Sequence, residues 1–203
     1  MSEPASDTLT VALSRHGFTL PAEQVALLEK YCQLLWEWNE KINLTRHTDY
    51  EKFVSRDMAD SSHLAALIGA GETAVDVGSG GGVPGIVIAI LRPDVKVVLT
   101  ESMEKKARVL DDLVTKLGLN CTVFHGRAEK YLEQQTAAVV MARAVGSLAK
   151  MLDWFANSWS RFDRMLLIKG PKWLEERGEA RHYGHFNKPV SYTHLTLPTI
   201  LRV

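Results

Sequence analysis

The sequence predicts an α/β protein, a mostly parallel, doubly wound sheet preceded by a helical extension. Three observations carry that reading. Five short apolar runs alternate with helical patterns between residues 73 and 168, the rhythm of parallel strands joined by crossover helices. A glycine cluster, Gly78-Ser79-Gly80-Gly81-Gly82, sits where the first run ends. The first 70 or so residues lack that alternation and instead place apolar side chains at 3- and 4-residue spacing.

The elements follow in order. Pro21 suits a first helical position, where its missing N–H costs nothing. Val25, Leu28, Cys32, Leu35 and Trp36 then form one apolar stripe. The polar stretch Asn39 to Thr45 breaks it as a loop. Thr48 or Asp49 supplies the N-cap of a second helix through Phe53 and Val54, which Leu64 to Gly69 continues or closes. Ala74 to Val77 reads as a buried strand, Val83 to Leu91 as a helix stopped by Arg92-Pro93-Asp94, and Val95 to Thr100 as the second strand. Glu104 to Leu117 is a helix with Ala107, Leu110, Val114 and Leu117 on one face and Gly118 as its stop. Cys121 to Phe124, Ala137 to Ala142 and Arg164 to Ile168 complete the strands, with a helix from Ser147 to Trp159 before the last. A charged helix follows over Trp173 to Ala180. These elements divide the chain into a helical cap (1–72), a sheet core (73–188) and a tail (189–203).

At 203 residues the chain is long enough for one well-buried core. Its 24 basic and 24 acidic side chains sum to zero, which at first sight argues against a nucleic-acid partner. The zero is a cancellation. Residues 1–75 carry 6 basic and 11 acidic groups, whereas residues 76–203 carry 18 and 13. A phosphate backbone meets local sign, so a basic core remains compatible with RNA. The apolar run Ile86 to Leu91 is far short of a membrane span. Residues 1–10 lack the basic and apolar segments of a signal peptide, so a cytoplasmic location is expected. Cys32 and Cys121 are too few for a disulfide framework or a cysteine-based zinc site. His182, His185 and His194 have no carboxylate or thiol at ligand spacing, and no metal is expected.

The glycine turn lies where a doubly wound sheet binds its ligand. Glycines there let backbone approach a ligand closely, although tight turns also need them for purely structural reasons. A dinucleotide fingerprint requires Gly or Ala at the sixth place counted from Gly78, where Val83 stands. A phosphate-cradling loop requires Lys and then Ser or Thr, where Pro84-Gly85 stands. Asp76, at the strand end, would repel a pyrophosphate and attract a cation. S-adenosylmethionine, with its amino group and sulfonium, is such a ligand. Glu101, just past the second strand, is placed to accept from ribose hydroxyls. The alternative is that both acids merely cap the helices after them. Their place at the ligand edge of successive strands favours the ligand reading.

Asp76-Val77-Gly78-Ser79-Gly80 with Pro84-Gly85-Ile86, and Glu101-Ser102 with Lys105-Lys106, resemble the bacterial 16S rRNA guanine-N7 methyltransferases, also called glucose-inhibited division protein B. Further motifs of that resemblance are Trp38-Asn39, Ile42-Asn43-Leu44-Thr45, Asp60-Ser61, Gly126-Arg127-Ala128-Glu129, Arg143-Ala144-Val145 and Lys169-Gly170. Together they cover about residues 20 to 180. The resemblance implies a class I S-adenosylmethionine-dependent methyltransferase, Rossmann-like, acting on small-subunit ribosomal RNA or the 30S particle as a monomer, away from membranes. By position it implies that Gly78, Gly80 and Val83 lie against the cofactor beside Asp76, that Glu101 holds the ribose, and that Ala128 and Glu129 border the adenine. It places Arg143 at the edge between cofactor and substrate and Lys169 near the RNA, the two side chains expected to be catalytic.

The chemistry agrees on separate grounds. Guanine N7 carries a free lone pair on the major-groove edge, so its methylation removes no proton first. Positioning for an aligned attack then suffices. Ala142-Arg143-Ala144 lacks the Asn/Asp-Pro-Pro-aromatic motif of amino-group methylases, and no Pro-Cys pair offers a cytosine-C5 nucleophile. No general base is therefore nominated. Arg143 is expected to steady guanine or phosphate by bidentate hydrogen bonds, and its alternative is an ion pair with a structural carboxylate. Trp36, Trp38 and Trp154 are candidates for stacking on bases, although helical spacing favours packing for Trp36 and Trp154. Two other functions fit the pattern: a class I methyltransferase acting on a small molecule, and a catalytically silent RNA-binding module.

Two departures stand out. Asp57 occupies a place where the family commonly has histidine. Pro189 to Val203 resembles none of the family's closing helix and antiparallel strand pair, but looks like translated adapter DNA. The expectation is a non-native ending that leaves the last antiparallel strands missing and a sheet edge uncovered.

Overall fold

In the computed structural model, which describes residues 8–179, 187–191 and 199–202, the cap and the sheet share one apolar core. The cap holds α1 (Leu9–Arg15), α2 (Ala22–Asn39), α3 (Tyr50–Lys52) and α4 (Ala59–Ala65), with a π-helical turn over Phe53–Met58 between the last two. Thr8 and Asp49 start α1 and α3 through side-chain oxygens that accept from Val11 N and Lys52 N. Leu28, Tyr31, Leu35, Phe53 and Val54 from this cap pack in the same cluster as Ile86, Leu99, Leu110, Met141 and Leu166.

The core contains β1 (Thr73–Val77), α5 (Gly85–Leu91), β2 (Lys96–Glu101), α6 (Glu104–Leu117), β3 (Cys121–His125), α7 (Ala128–Leu132), β4 (Ala137–Arg143), α8 (Leu148–Trp154), β5 (Phe162–Ile168) and α9 (Trp173–Glu179). Two further strands, β6 (Asn187–Ser191) and β7 (Thr199–Arg202), follow. The sheet order is β3-β2-β1-β4-β5-β7-β6, parallel from β3 to β5. Helices cover both faces, which is why β1 reads as an uninterrupted apolar run apart from Asp76. The two-residue period sorts its side chains: Val75 and Val77 join Leu148, Phe155 and Leu167 on one face, while Ala74 joins the cap on the other. Asp76 shares the parity of Ala74, so its carboxylate is turned toward α5 and the cap. Gly118 ends α6 with φ of 65°, the left-handed stop that its sequence position suggests.

Several elements differ from the sequence reading. The short helices α1 and α7 are additional, and α8 stops at Trp154 instead of reaching Trp159, which begins a 3-10 turn. The expected loss of the closing antiparallel strands is corrected: β7 pairs antiparallel with β5, and β6 with β7. Strand pairing asks for extended backbone with free N–H and C=O groups more than for a family pattern, and Thr199-Ile200 is β-branched. Pro189, which has no N–H, lies in the edge strand and within the register shift between Asn187 and Val190. The edge of β5 is covered. His182, His185 and His194 lie outside the described residues. Among the described residues no helix is long and apolar enough to cross a membrane, and no His, Cys, Asp and Glu side chains gather as a metal site.

Candidate active site

Sheet order reverses between β1 and β4, so the chain segments leaving these strands diverge and open a crevice at their C-terminal ends. A cavity of about 1200 Å³ fills that crevice. It is larger than the roughly 300–1,000 Å³ of a pocket for one small ligand, and it reaches from the glycine turn to the exit of β4. A second cavity, of about 510 Å³, lies at the opposite, N-terminal edge of the strands near Ala66 and Arg164. Arg164, on its wall, is held in a half-buried ion pair with Glu72.

The cavity floor is main chain. Gly78, Gly80 and Gly82 have φ of 64°, 57° and 104°, a region that side-chain-bearing residues rarely enter. The Ser79 N–H donates to Thr100 O at 2.9 Å, and Tyr31 donates its hydroxyl to Gly81 O at 2.9 Å. A Cβ on Gly81 would come 3.0 Å from Leu35, so the cap closes directly on the loop. Gly78, Ser79, Gly80, Gly81 and Val83 all line the cavity.

Asp76 lies beneath this floor, 1% exposed. Its Oδ2 accepts from Gly85 N at 3.1 Å, at the start of α5, while Oδ1 is buried without a hydrogen-bond partner among the described residues. Burial pushes its carboxyl up to about 7. Asp76 thus caps α5 through one oxygen, beneath the loop that lines the cavity. Glu101 also supports the loop. Its Oε2 accepts from Gly80 N at 3.1 Å and its Oε1 from Met103 N at 2.8 Å. Each oxygen retains a lone pair for a ribose hydroxyl. Both acids therefore combine the capping role with a place at the ligand edge. Ala128 and Glu129 begin α7, with Ala128 buried and Glu129 paired to Arg127 at 3.5 Å. They do not line the cavity. The turn before them is tied to Glu101 by Gly126 N donating to Glu101 O at 2.9 Å.

The opposite wall is built from side chains. Arg143, at the end of β4, donates from Nη1 to Asp57 Oδ1 at 2.6 Å and to Asp60 Oδ2 at 3.4 Å. The ion pair weighed as its alternative role is present, and Arg143 lines the cavity as well. Burial raises the Asp60 carboxyl above the ordinary carboxylate range despite Arg143. Ala144, the next residue, has φ of 56°, a strained setting for a side chain that places the strand exit at the cavity wall. Lys169 donates to Gly146 O at 2.6 Å and to Glu176 of α9 at 2.8 Å, and Glu176 Oε2 also accepts from Leu148 N. Lys169 is thus on the wall with its ammonium already engaged, holding the β4 exit against α9.

The loop after α2 completes the site. Asn39 Oδ1 accepts from Leu44 N at 2.8 Å and from Thr45 N at 2.9 Å, and Trp36 donates to His47 O at 2.9 Å. These bonds join Asn39 to Leu44 and Thr45. They pin a loop that brings Asn43, Arg46 and His47 to the cavity. Arg46, His47 and Arg56 were not singled out from the sequence, because nothing in local pattern separates a cavity arginine from a solvated one. Trp38 donates to Asp112 at 2.8 Å, Trp36 packs on Tyr50, and Trp154 lies under Arg127. None of the three tryptophans lines the cavity, so base stacking on them is not supported.

The residues present fit S-adenosylmethionine. Of the loop glycines, Gly80 alone would carry a Cβ with nothing nearer than 3.8 Å; Glu101 holds its N–H, and Asp76 lies beneath the loop with Oδ1 unpartnered among the described residues.

Comparison with known proteins identifies the family. The family model for GidB, rRNA small subunit methyltransferase G, matches residues 24–197, farther along the chain than the motifs that carry the resemblance. A ribosomal RNA small subunit methyltransferase G from Rhodopirellula baltica is 53% identical over 173 residues, covering 85% of this chain and 75% of that protein. Its counterpart from Chromobacterium violaceum is 39% identical over 169 residues, covering 83% of this chain and 81% of that protein. Among solved structures, an rRNA methylase from Streptococcus thermophilus is similar in fold, with a TM-score of 0.52 at 16% identity over 72% of this chain and 94% of that one. The chain belongs to the GidB family, the rRNA small subunit methyltransferases G.

Proposed function

We propose that the protein transfers a methyl group from S-adenosylmethionine to N7 of a guanine in small-subunit ribosomal RNA. The observation that carries this reading is the cavity itself. It joins a glycine floor suited to the cofactor with a polar wall around Arg143, in a chain 53% identical to a ribosomal RNA small subunit methyltransferase G. When bound, the cofactor supplies an electrophilic methyl group on a sulfonium centre.

The chain's own residues do the rest by placement. Gly78 to Gly81 and Glu101 hold the cofactor side, and a bound cation above the loop favours the ionised form of the buried Asp76 carboxyl. Arg143 offers the guanidinium N–H groups not taken by Asp57 and Asp60 to the nucleotide. No side chain has to withdraw a proton, because N7 presents its lone pair without one. Asp60, on the wall, counters the positive charge that methylation leaves on the guanine ring. Arg46 and Arg56, both exposed at the cavity and in no ion pair among the described residues, meet phosphates that flank the target. The acidic cap thus contributes two cations where RNA must enter. A ribosomal RNA substrate supports a cytoplasmic location and the 30S particle or its rRNA as partner, with the protein acting as a monomer in this reading.

Label transfer from methyl-labelled S-adenosylmethionine tests this, with unmodified small-subunit rRNA, 30S particles and free nucleosides as acceptors. Label in the rRNA alone or in 30S particles is expected. Label only in small molecules would favour the small-molecule methyltransferase, and none anywhere would favour a silent RNA-binding module.

A further inference from the structure

Asp57 does not line the cavity, yet two side chains that do are fastened to it. The π-helical turn over Phe53–Met58 buries its carboxylate completely. Oδ1 accepts from Arg143 Nη1 at 2.6 Å and lies 2.9 Å from His47 Nδ1. Oδ2 is buried with no hydrogen-bond partner among the described residues. A buried carboxylate is costly without cationic or donor partners, so Asp57 constrains both. The His47 main chain is fixed as well, with its N–H donating to Thr45 Oγ1 and its carbonyl accepting from Trp36. With Nδ1 engaged on the carboxylate, the imidazole orientation is set and Nε2 is the ring nitrogen left for a ligand.

We propose that Asp57 is a positioning residue for RNA methylation: it holds His47 and Arg143 side by side on the cavity wall, where the His47 imidazolium, donating from Nε2 while Nδ1 donates to Asp57, and the spare guanidinium donors engage an oxygen acceptor of the target nucleotide. This rests on the rRNA-methylating function proposed above. Asp60, 3.4 Å from Arg143, keeps the guanidinium from swinging toward Asp57 alone. The π turn gives the arrangement its basis, since an inserted residue in a helix re-aims the side chains around it.

A double-mutant cycle of His47→Gln and Asp57→Asn tests the proposal, with kcat and KM for small-subunit rRNA, S-adenosylmethionine affinity by calorimetry, and thermal melting measured for each protein. Each single substitution is expected to raise KM for rRNA about tenfold or more, the scale of a lost charge-assisted hydrogen bond, with cofactor affinity within about twofold of wild type. The double variant should be no worse than the worse single one, because both break the same arrangement. Salt titration separates the two acceptor sources. A phosphate contact lowers the slope of log affinity against log salt in His47→Gln, and a base oxygen leaves it unchanged. The proposal is overturned if the two losses multiply, if KM stays at the wild-type value, or if Asp57→Asn lowers melting temperature and cofactor affinity in step with activity. Should Asp57→Asn fail to fold, an unchanged KM in the partly exposed His47→Gln alone overturns it. A wild-type protein that methylates no rRNA sinks the functional reading itself, whereas an active wild type with independent substitutions sinks only this inference.

Discussion

The two walls of the cavity are made differently. On the β1 side the surface is main chain: glycines at positive φ, two acids beneath them and backbone N–H groups held at fixed distances. On the β4 side it is side chain: Arg143 between Asp57 and Asp60, with His47 and Lys169 tied by their own hydrogen bonds. A main-chain wall depends on residue type at each position and tolerates little. A side-chain wall depends on partners distant in sequence, so its members fail together. Substitutions on the two sides should therefore separate cofactor effects from substrate effects.

The largest expected effect is on the side-chain wall. Arg143→Ala leaves the buried Asp57 and the nearby Asp60 without their shared cation, a change worth about 3 kcal/mol of stability for a buried pair that loses one partner. Methyl transfer should fall by at least about a hundredfold, with Arg143→Lys recovering only part of it because a point charge replaces a fork. Denaturant unfolding and single-turnover kinetics check the two. If Arg143→Ala left both unchanged, the wall would be dispensable.

Next comes the main-chain wall. Gly78→Val forces a β-branched residue to φ of 64° with Val145 only 3.3 Å from the new Cβ. S-adenosylmethionine affinity should fall about tenfold or more, the equivalent of the 1–2 kcal/mol that a left-handed backbone costs. Calorimetric titration reads this directly, and rRNA binding without cofactor should stay near wild type. Equal loss of both ligands would erase the distinction between the walls.

A smaller effect is pH-dependent. Burial pushes the folded-state Asp76 carboxyl up to about 7, above its value in the unfolded chain. The stability it contributes is complete below about pH 4, declines as the unfolded chain ionises, and is lost once the pH has risen through about 7. The cofactor-free protein should melt at a lower temperature at pH 8 than at pH 6, and Asp76→Asn should shrink that difference. A bound cation favours the ionised carboxylate, so cofactor should raise the melting temperature more at pH 8 than at pH 6. The reverse order would show that the charge under the loop is not felt by the ligand. The smallest effect belongs to the cavity mouth. Replacing Arg46 and Arg56 together by Ala should weaken rRNA binding and lower the salt slope by about 2, with cofactor affinity unchanged.

How much of this was legible follows the same divide. The parallel sheet, the glycine turn and the two acids behind it could be read directly, because period-2 runs and glycines at a strand end report backbone conformation locally. Gly118 at the end of α6 is another such case. The capping of α5 by Asp76 could not be separated from ligand contact, since both put an acid at the same strand end. The parity of β1 shows the capping contact with Gly85 N. His47, Arg46 and Arg56 escaped because their role is set by a loop pinned through Asn39 and Trp36, a tertiary arrangement with no period to detect. Asp57 showed only as an unexpected residue, and its partners His47 and Arg143 lie 10 and 86 positions away. The closing strands were missed for a third reason. Pairing in that segment needs only extended backbone, which a departure from the family pattern does not remove.

The central claim is that this cavity delivers a methyl group to guanine N7. The most direct measurement maps the modified position in small-subunit rRNA after incubation with the protein and S-adenosylmethionine, using reduction and chain cleavage, to which the cationic ring of N7-methylguanine is sensitive and unmodified guanine is not. A single new cleavage at one guanine, lost in Arg143→Ala, is the expected result. A methyl group found on an exocyclic amine, a ribose or a ring carbon would contradict the account, because each of those needs a proton removed and the cavity wall assigns no residue to remove it.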